Sequence, residues 1–87
     1  MRLGIEGKHL AKTVLIRLEG SYQLGFLMET LSDGRQVVFI PWVPKALVGT
    51  LHIFEADRVQ ILAMSVSAAL DAVSRLGVGL REMWPKD

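Results

Sequence analysis

Val38-Phe39-Ile40-Pro41-Trp42-Val43-Pro44-Lys45-Ala46-Leu47-Val48-Gly49-Thr50-Leu51-His52-Ile53 is the stretch whose reading decides the fold. An apolar run stops at Pro41, a corner with two prolines is closed by Gly49, and a second apolar run begins. Proline has no N–H to give to a ladder, so Pro41 ends one strand, and Thr50 to Phe54 starts another. Upstream, Gln36 to Ile40 is almost wholly apolar, as a central strand covered on both faces should be. Ser32-Asp33-Gly34-Arg35 separates it from Tyr22 to Leu31, and Asp-Gly between apolar runs predicts a type I′ hairpin with positive φ at both central residues. Tyr22, Leu24, Phe26 and Met28 alternate onto one face of that second strand, and Gly25 within it predicts a bulge or a close backbone approach. Before the turn Glu19-Gly20-Ser21, Lys12 to Leu18 is rich in β-branched and aliphatic residues and reads as a strand.

Downstream, Glu55-Ala56-Asp57 turns into a short fifth strand, Arg58 to Leu62. Ser65 is a good N-cap for a helix whose apolar side is Val66, Ala69, Leu70 and Val73, continued by Leu76. Asp71 and Arg75 form an i,i+4 pair on its wet side, and Gly77 suits the C′ position. Residues 1–11 read as an arm, and 78–87, with Trp84 and Pro85, as a tail that frays unless the tryptophan docks. The chain is therefore a single α+β domain over 1–87, with a β meander at 12–62 and a helix at 65–76. The expected architecture is an antiparallel sheet of four or five strands, or a small open barrel, with one C-terminal helix. One short helix cannot cover the whole apolar side of such a sheet, so self-association is expected.

Composition narrows the functions. Eighty-seven residues allow one core of marginal stability. There is no cysteine, which excludes disulfides and thiolate metal sites, and two histidines are too few for a histidine-based metal cluster without carboxylates. Ten basic and nine acidic side chains nearly cancel, so no field attracts a phosphate backbone, and nucleic acid is not an expected partner. The mild basic bias of Lys8, His9, Lys12 and Arg17 reads as a solvated strand edge. Hydrophobic residues make up 51% of the chain and its mean hydropathy is +0.35, high for a domain that must dissolve. No run approaches the roughly 18–20 apolar residues of a membrane span, so the expected location is cytoplasmic or peripheral to a membrane.

The candidate interaction loop is Pro41, Trp42, Val43, Pro44, Leu47, Val48 and Gly49. Tryptophan combines a large apolar body with one N–H, a combination suited to an interface. The competing reading folds these aliphatics back onto the core. His52 with Glu55 and Asp57 is the candidate chemical cluster, for a small ligand- or metal-binding or enzymatic domain; the plainer reading is an edge-strand histidine beside solvated turn carboxylates. Ser65 reads as a cap rather than a nucleophile, the glycines do not make a phosphate loop, and Met28, Met64 and Met83 read as core fillers. No cofactor is implied, and no catalytic or metal residue is assigned.

The corner and its flanks also resemble the COV/LIKE-COV family of membrane proteins, a domain of unknown function. The similarity lies in Val38-Phe39-Ile40, then Pro41, Pro44 and Gly49 at the family's spacing, then Thr50 to Phe54. It continues in Met64-Ser65-Val66 with Ala69-Leu70, in Ser74 to Gly77, and upstream in Thr13-Val14-Leu15 and Leu24-Gly25-Phe26. It covers about residues 12–79. The family's loop is polar where Trp42, Val43, Ala46, Leu47 and Val48 are apolar, and its acidic positions are Ala63 and Ser67 here. The family carries two membrane spans ahead of this region, so the resemblance implies either the soluble part of such a protein or a relative without the anchor. It implies a role in trafficking or membrane organisation, with a membrane surface or membrane protein as a partner beside a second copy. The function expected on these grounds is a non-enzymatic interaction and oligomerisation module.

Overall fold

The computed structural model describes residues 4–5, 9–45 and 48–85. Strands β1 (Gly4–Ile5) and β2 (His9–Leu10) form a separate two-stranded antiparallel ribbon within the expected arm, the rest of which, apart from Ala11, lies outside the described residues. The main sheet is built from β3 (Lys12–Leu18), β4 (Ser21–Thr30), β5 (Gln36–Pro41), β6 (Gly49–Phe54) and β7 (Val59–Ile61). All neighbours are antiparallel and the order is β6-β5-β4-β3-β7. Helix α1 (Val66–Ser74) and a helical turn, α2 (Leu80–Met83), follow. The α+β reading, with an antiparallel sheet and a helix on its C-terminal side, is the architecture observed.

The topology forces the sheet to curl. Strands β6 and β7 are its two outer strands, yet only Glu55 to Arg58 connect them, and Ala56–Arg58 is a 3-10 turn. Outer strands of a flat five-stranded sheet lie about 19 Å apart. A connector of this length that is partly 3-10 reaches only about 12–13 Å. The edges must therefore approach, and the side chains of the inner face meet: Val14, Ile16 and Val38 are fully buried, with Phe54 of β6 and Val59 of β7 packed against them. The outer face carries the second core. Phe26, fully buried, pairs with Thr13 and Phe39 in the register and lies with Leu24 and Met28 against Met64, Ala69 and α2's Leu80 and Met83.

Several local expectations need correction. The Asp33-Gly34 hairpin is not type I′: only Gly34 has positive φ, at 93°. Gly34 N–H donates to the Leu31 carbonyl (2.9 Å) and Leu31 N–H to that of Arg35 (2.8 Å), the pattern of a three-residue loop with its glycine in the left-handed region. Asp33 stays at ordinary φ and accepts from the Arg35 N–H (3.0 Å). The register irregularity of β4 falls between Leu27 and Glu29, not at Gly25. Gly25 takes the other of its two expected roles, a close approach, since a Cβ there would lie 2.8 Å from Val38 Cγ1 and 3.2 Å from the Phe39 carbonyl oxygen. The segment after Gly77 contains the helical turn α2 rather than a frayed tail, although its last two residues lie outside the described ones. Helix α1 starts as expected, with Ser65 Oγ accepting from Ala68 N–H at 3.0 Å.

Two substitutions probe these cores. Thr13 is buried at 2% exposure, and its hydroxyl has no hydrogen-bond partner. An unsatisfied buried hydroxyl costs about 1–3 kcal/mol, so Thr13→Val should raise the urea-unfolding free energy by about 1 kcal/mol. Gly25→Ala should lower it by about 1–3 kcal/mol, because backbone as well as side chain stands in the way.

Candidate functional site

The proline corner is a continuation of the β5–β6 ladder. Trp42 N–H donates to the Val48 carbonyl (2.7 Å), and Val48 N–H to that of Lys45 (3.0 Å). In this register Trp42/Val48, Ile40/Thr50 and Val38/His52 are the hydrogen-bonded pairs, and Pro41/Gly49 falls between two of them. The N–H that Pro41 lacks is therefore one that β6 does not need. Gly49 is required sterically, since a Cβ there would collide with the Ile40 carbonyl oxygen.

Of the candidate loop residues, Pro41 is buried, Gly49 is half-buried and Pro44 is exposed. Trp42 (54% exposed), Val43 (57%) and Val48 keep much of their surface in solvent, and Leu47 lies outside the described residues. Trp42 and Val48 share the inner face with Ile40 and Thr50, whereas Val43 belongs to the outer face. There it meets the end of α1 across an apolar groove of about 210 Å³, lined also by Leu24, Pro41, Val73, Leu76 and Leu80.

The far wall of the groove is unusual in its backbone. Gly77 N–H donates to Ala72 O (2.7 Å) and Leu76 N–H to Val73 O (3.1 Å), a Schellman ending with Arg75 as C-cap. The C′ residue is thus Leu76, at φ 61°, and the glycine expected there sits one position later. A leucine in the left-handed region costs roughly 1–2 kcal/mol, and this one is also mostly exposed. The strained position holds an apolar side chain beside the groove.

The exposed apolar surface extends onto β6. Leu51 pairs with Phe39 and Ile53 with Val37, on the outer face. The helix lies over β3 and β4 and leaves them open, at 66% and 59% exposure. The loop reading from sequence did not include Leu51, Ile53 or Leu76. A signal for the first two was present: in Thr50 to Phe54 both alternating faces carry apolar residues, and a single helix cannot reach an edge strand.

His52, Glu55 and Asp57 are not brought together. His52 Nε2 lies 3.0 Å from Thr50 Oγ1, and its ring stacks on Phe54 with centroids 5.6 Å apart. Glu55 accepts from Arg35 Nε at 3.0 Å, and Asp57 offers its backbone carbonyl to Arg17 at 3.1 Å. Among the described residues no three His, Asp or Glu side chains are placed to hold a metal ion. Arg35, which donates to both Glu55 and Asp33, has its pKa raised, first by the Glu55 hydrogen bond and then by the Asp33 and Glu55 charges. The Arg17 and Arg35 contacts fasten the turn that links β6 to β7.

No family model, no curated protein and no solved structure matches this chain. No helix among the described residues is long and apolar enough to cross a membrane.

Leu76→Gly should relieve the C′ strain and raise the thermal midpoint, by an amount equivalent to about 1 kcal/mol in a chemical-denaturation series.

Proposed function

We propose that this chain is a non-enzymatic interaction module that self-associates by burying the proline corner and the outer face of β6. The observation that carries this reading is the exposed apolar surface formed by Trp42, Val43, Val48, Leu51 and Ile53. Lys45 is the only Lys, Arg, Asp or Glu between Trp42 and Phe54. These five side chains expose roughly 500–600 Å² in all, Val43, Leu51 and Ile53 on the outer face and Trp42 and Val48 on the inner, and apolar surface left outside in this amount often marks an interaction site. A corner whose valines and tryptophan served only the core would not leave them half in solvent.

The resemblance to the COV/LIKE-COV family supports placing the module in a protein that organises or traffics membranes. Trp42 favours the headgroup layer as the alternative surface, because its indole pairs an apolar body with an N–H. Self-association remains the preferred reading, since Leu51 and Ile53 lie on a sheet edge and suit a second protein surface.

Sedimentation velocity of the parent, Trp42→Asp and Val48→Asp tests the proposal, with anionic vesicle flotation beside it. The parent should associate at micromolar concentration, and each variant should weaken association about tenfold or more with an unchanged far-UV spectrum. Variants that sediment and float as the parent does would reduce the corner to a connector.

A further inference from the structure

The ladder pattern says which backbone groups of β6 are spare. Thr50, His52 and Phe54 direct their N–H and C=O groups to β5, so those of Leu51 and Ile53, with Gly49 in step, point away from the sheet. Among the described residues no strand pairs with that edge. It also lacks the usual protections: Gly49–Phe54 has six residues, with no proline, no lysine, no other charge and no bulge. The other outer strand, β7, has only three residues, so the two edges are not equivalent. Resting on the self-association reading and specifying its geometry, we infer that β6 pairs antiparallel with β6 of a second copy across a two-fold axis at Leu51, joining the two sheets into one.

A second copy suits the edge better than a foreign strand does. Pairing centred on Leu51 sets the outward positions 49, 51 and 53 of one copy against 53, 51 and 49 of the other, so every spare N–H meets a spare C=O. Thr50 then lies opposite His52, and no like charges meet at the axis, because the strand has no Lys, Arg, Asp or Glu. On the outer face Leu51 meets its own counterpart, with Ile53 flanking it. Val43 of the corner lies on the same outer face, so the joined edges bring the outward apolar side chains of both copies together.

The absence of cysteine makes the test clean. In a hydrogen-bonded antiparallel pair facing Cα atoms lie about 5.5 Å apart, within disulfide range, so Leu51→Cys should form a linked dimer on mild oxidation. Ile61→Cys, exposed on β7, should stay monomeric. Leu51→Lys, which brings two ammonium groups together at the axis, should weaken dimerisation about tenfold or more. The parent gives an independent readout: the Leu51 and Ile53 amides should exchange quickly when dilute and slow by about tenfold or more as dimer forms. Thr50 and His52 should be protected throughout. A parent that dimerises without linking through position 51 and without protecting these amides would overturn the edge pairing while leaving self-association standing. Linking only in mixtures of Leu51→Cys with Ile61→Cys would overturn it in favour of a head-to-tail arrangement. A parent monomeric at concentrations on the order of 100 µM would remove both.

Discussion

The short link between β6 and β7 governs the rest of the structure. It joins the two outer strands of the sheet, and it is too short to do so across a flat one. The curl that results encloses the inner core, in which Phe54 and Val59 of the two outer strands pack against the cluster of Val14, Ile16 and Val38. The corner is fastened from three strands. Arg17 of β3 donates to the Asp57 carbonyl, Arg58 donates back to the Arg17 carbonyl, and Arg35 at the β4–β5 turn reaches Glu55. These contacts are solvent-exposed and only Arg35–Glu55 is an ion pair, so each contributes little to stability. Their effect is geometric: they hold backbone carbonyls and a 3-10 turn where the closure needs them.

Closure at one end leaves the other end open, and that asymmetry produces the candidate surface. At the Phe54–Val59 end the edges are drawn together. Toward Gly49 the edge of β6 carries no neighbouring strand among the described residues, and the proline corner extends beyond it. The helix cannot compensate, because its N-cap at Ser65 follows β7 closely and so places α1 over β3 and β4. Leu51 and Ile53 are left outside by connectivity rather than by any polarity of their own. Leu76 adds to the same picture, since an apolar side chain is held at a strained turn instead of the glycine that would relax it.

Much of the fold was legible because its signals are local. Pro41 ends a strand by lacking a donor, and Ser65 caps a helix through its own hydroxyl. The alternation of Leu24, Phe26 and Met28 puts them on one face of β4, although Tyr22 is exposed and the opposite face, with Gly25 and Leu27, is covered as well. Where two local solutions satisfy the same residues, the choice escaped the sequence. Asp33-Gly34 suits either a two-residue or a three-residue hairpin loop, and the observed one follows from Leu31 pairing with Arg35. Gly25 marks either a bulge or a close approach, and the packing of Val38 and Ile16 against it decides for the second. The candidate site was legible in part: the corner was visible, and apolar residues on both faces of Thr50 to Phe54 signalled the exposed face of β6, which the loop reading left out.

Strand identities, the corner and the helix start were determined by the sequence alone, because they depend on residues within a few positions of one another. Which apolar residues are buried was decided only by the tertiary structure. Val14 and Leu51 look alike in sequence, yet one is enclosed by the rolled sheet and the other lies on its free edge. The reason is that burial is set by what lies across space, and here a connector of four residues determines which strands find a neighbour and which do not.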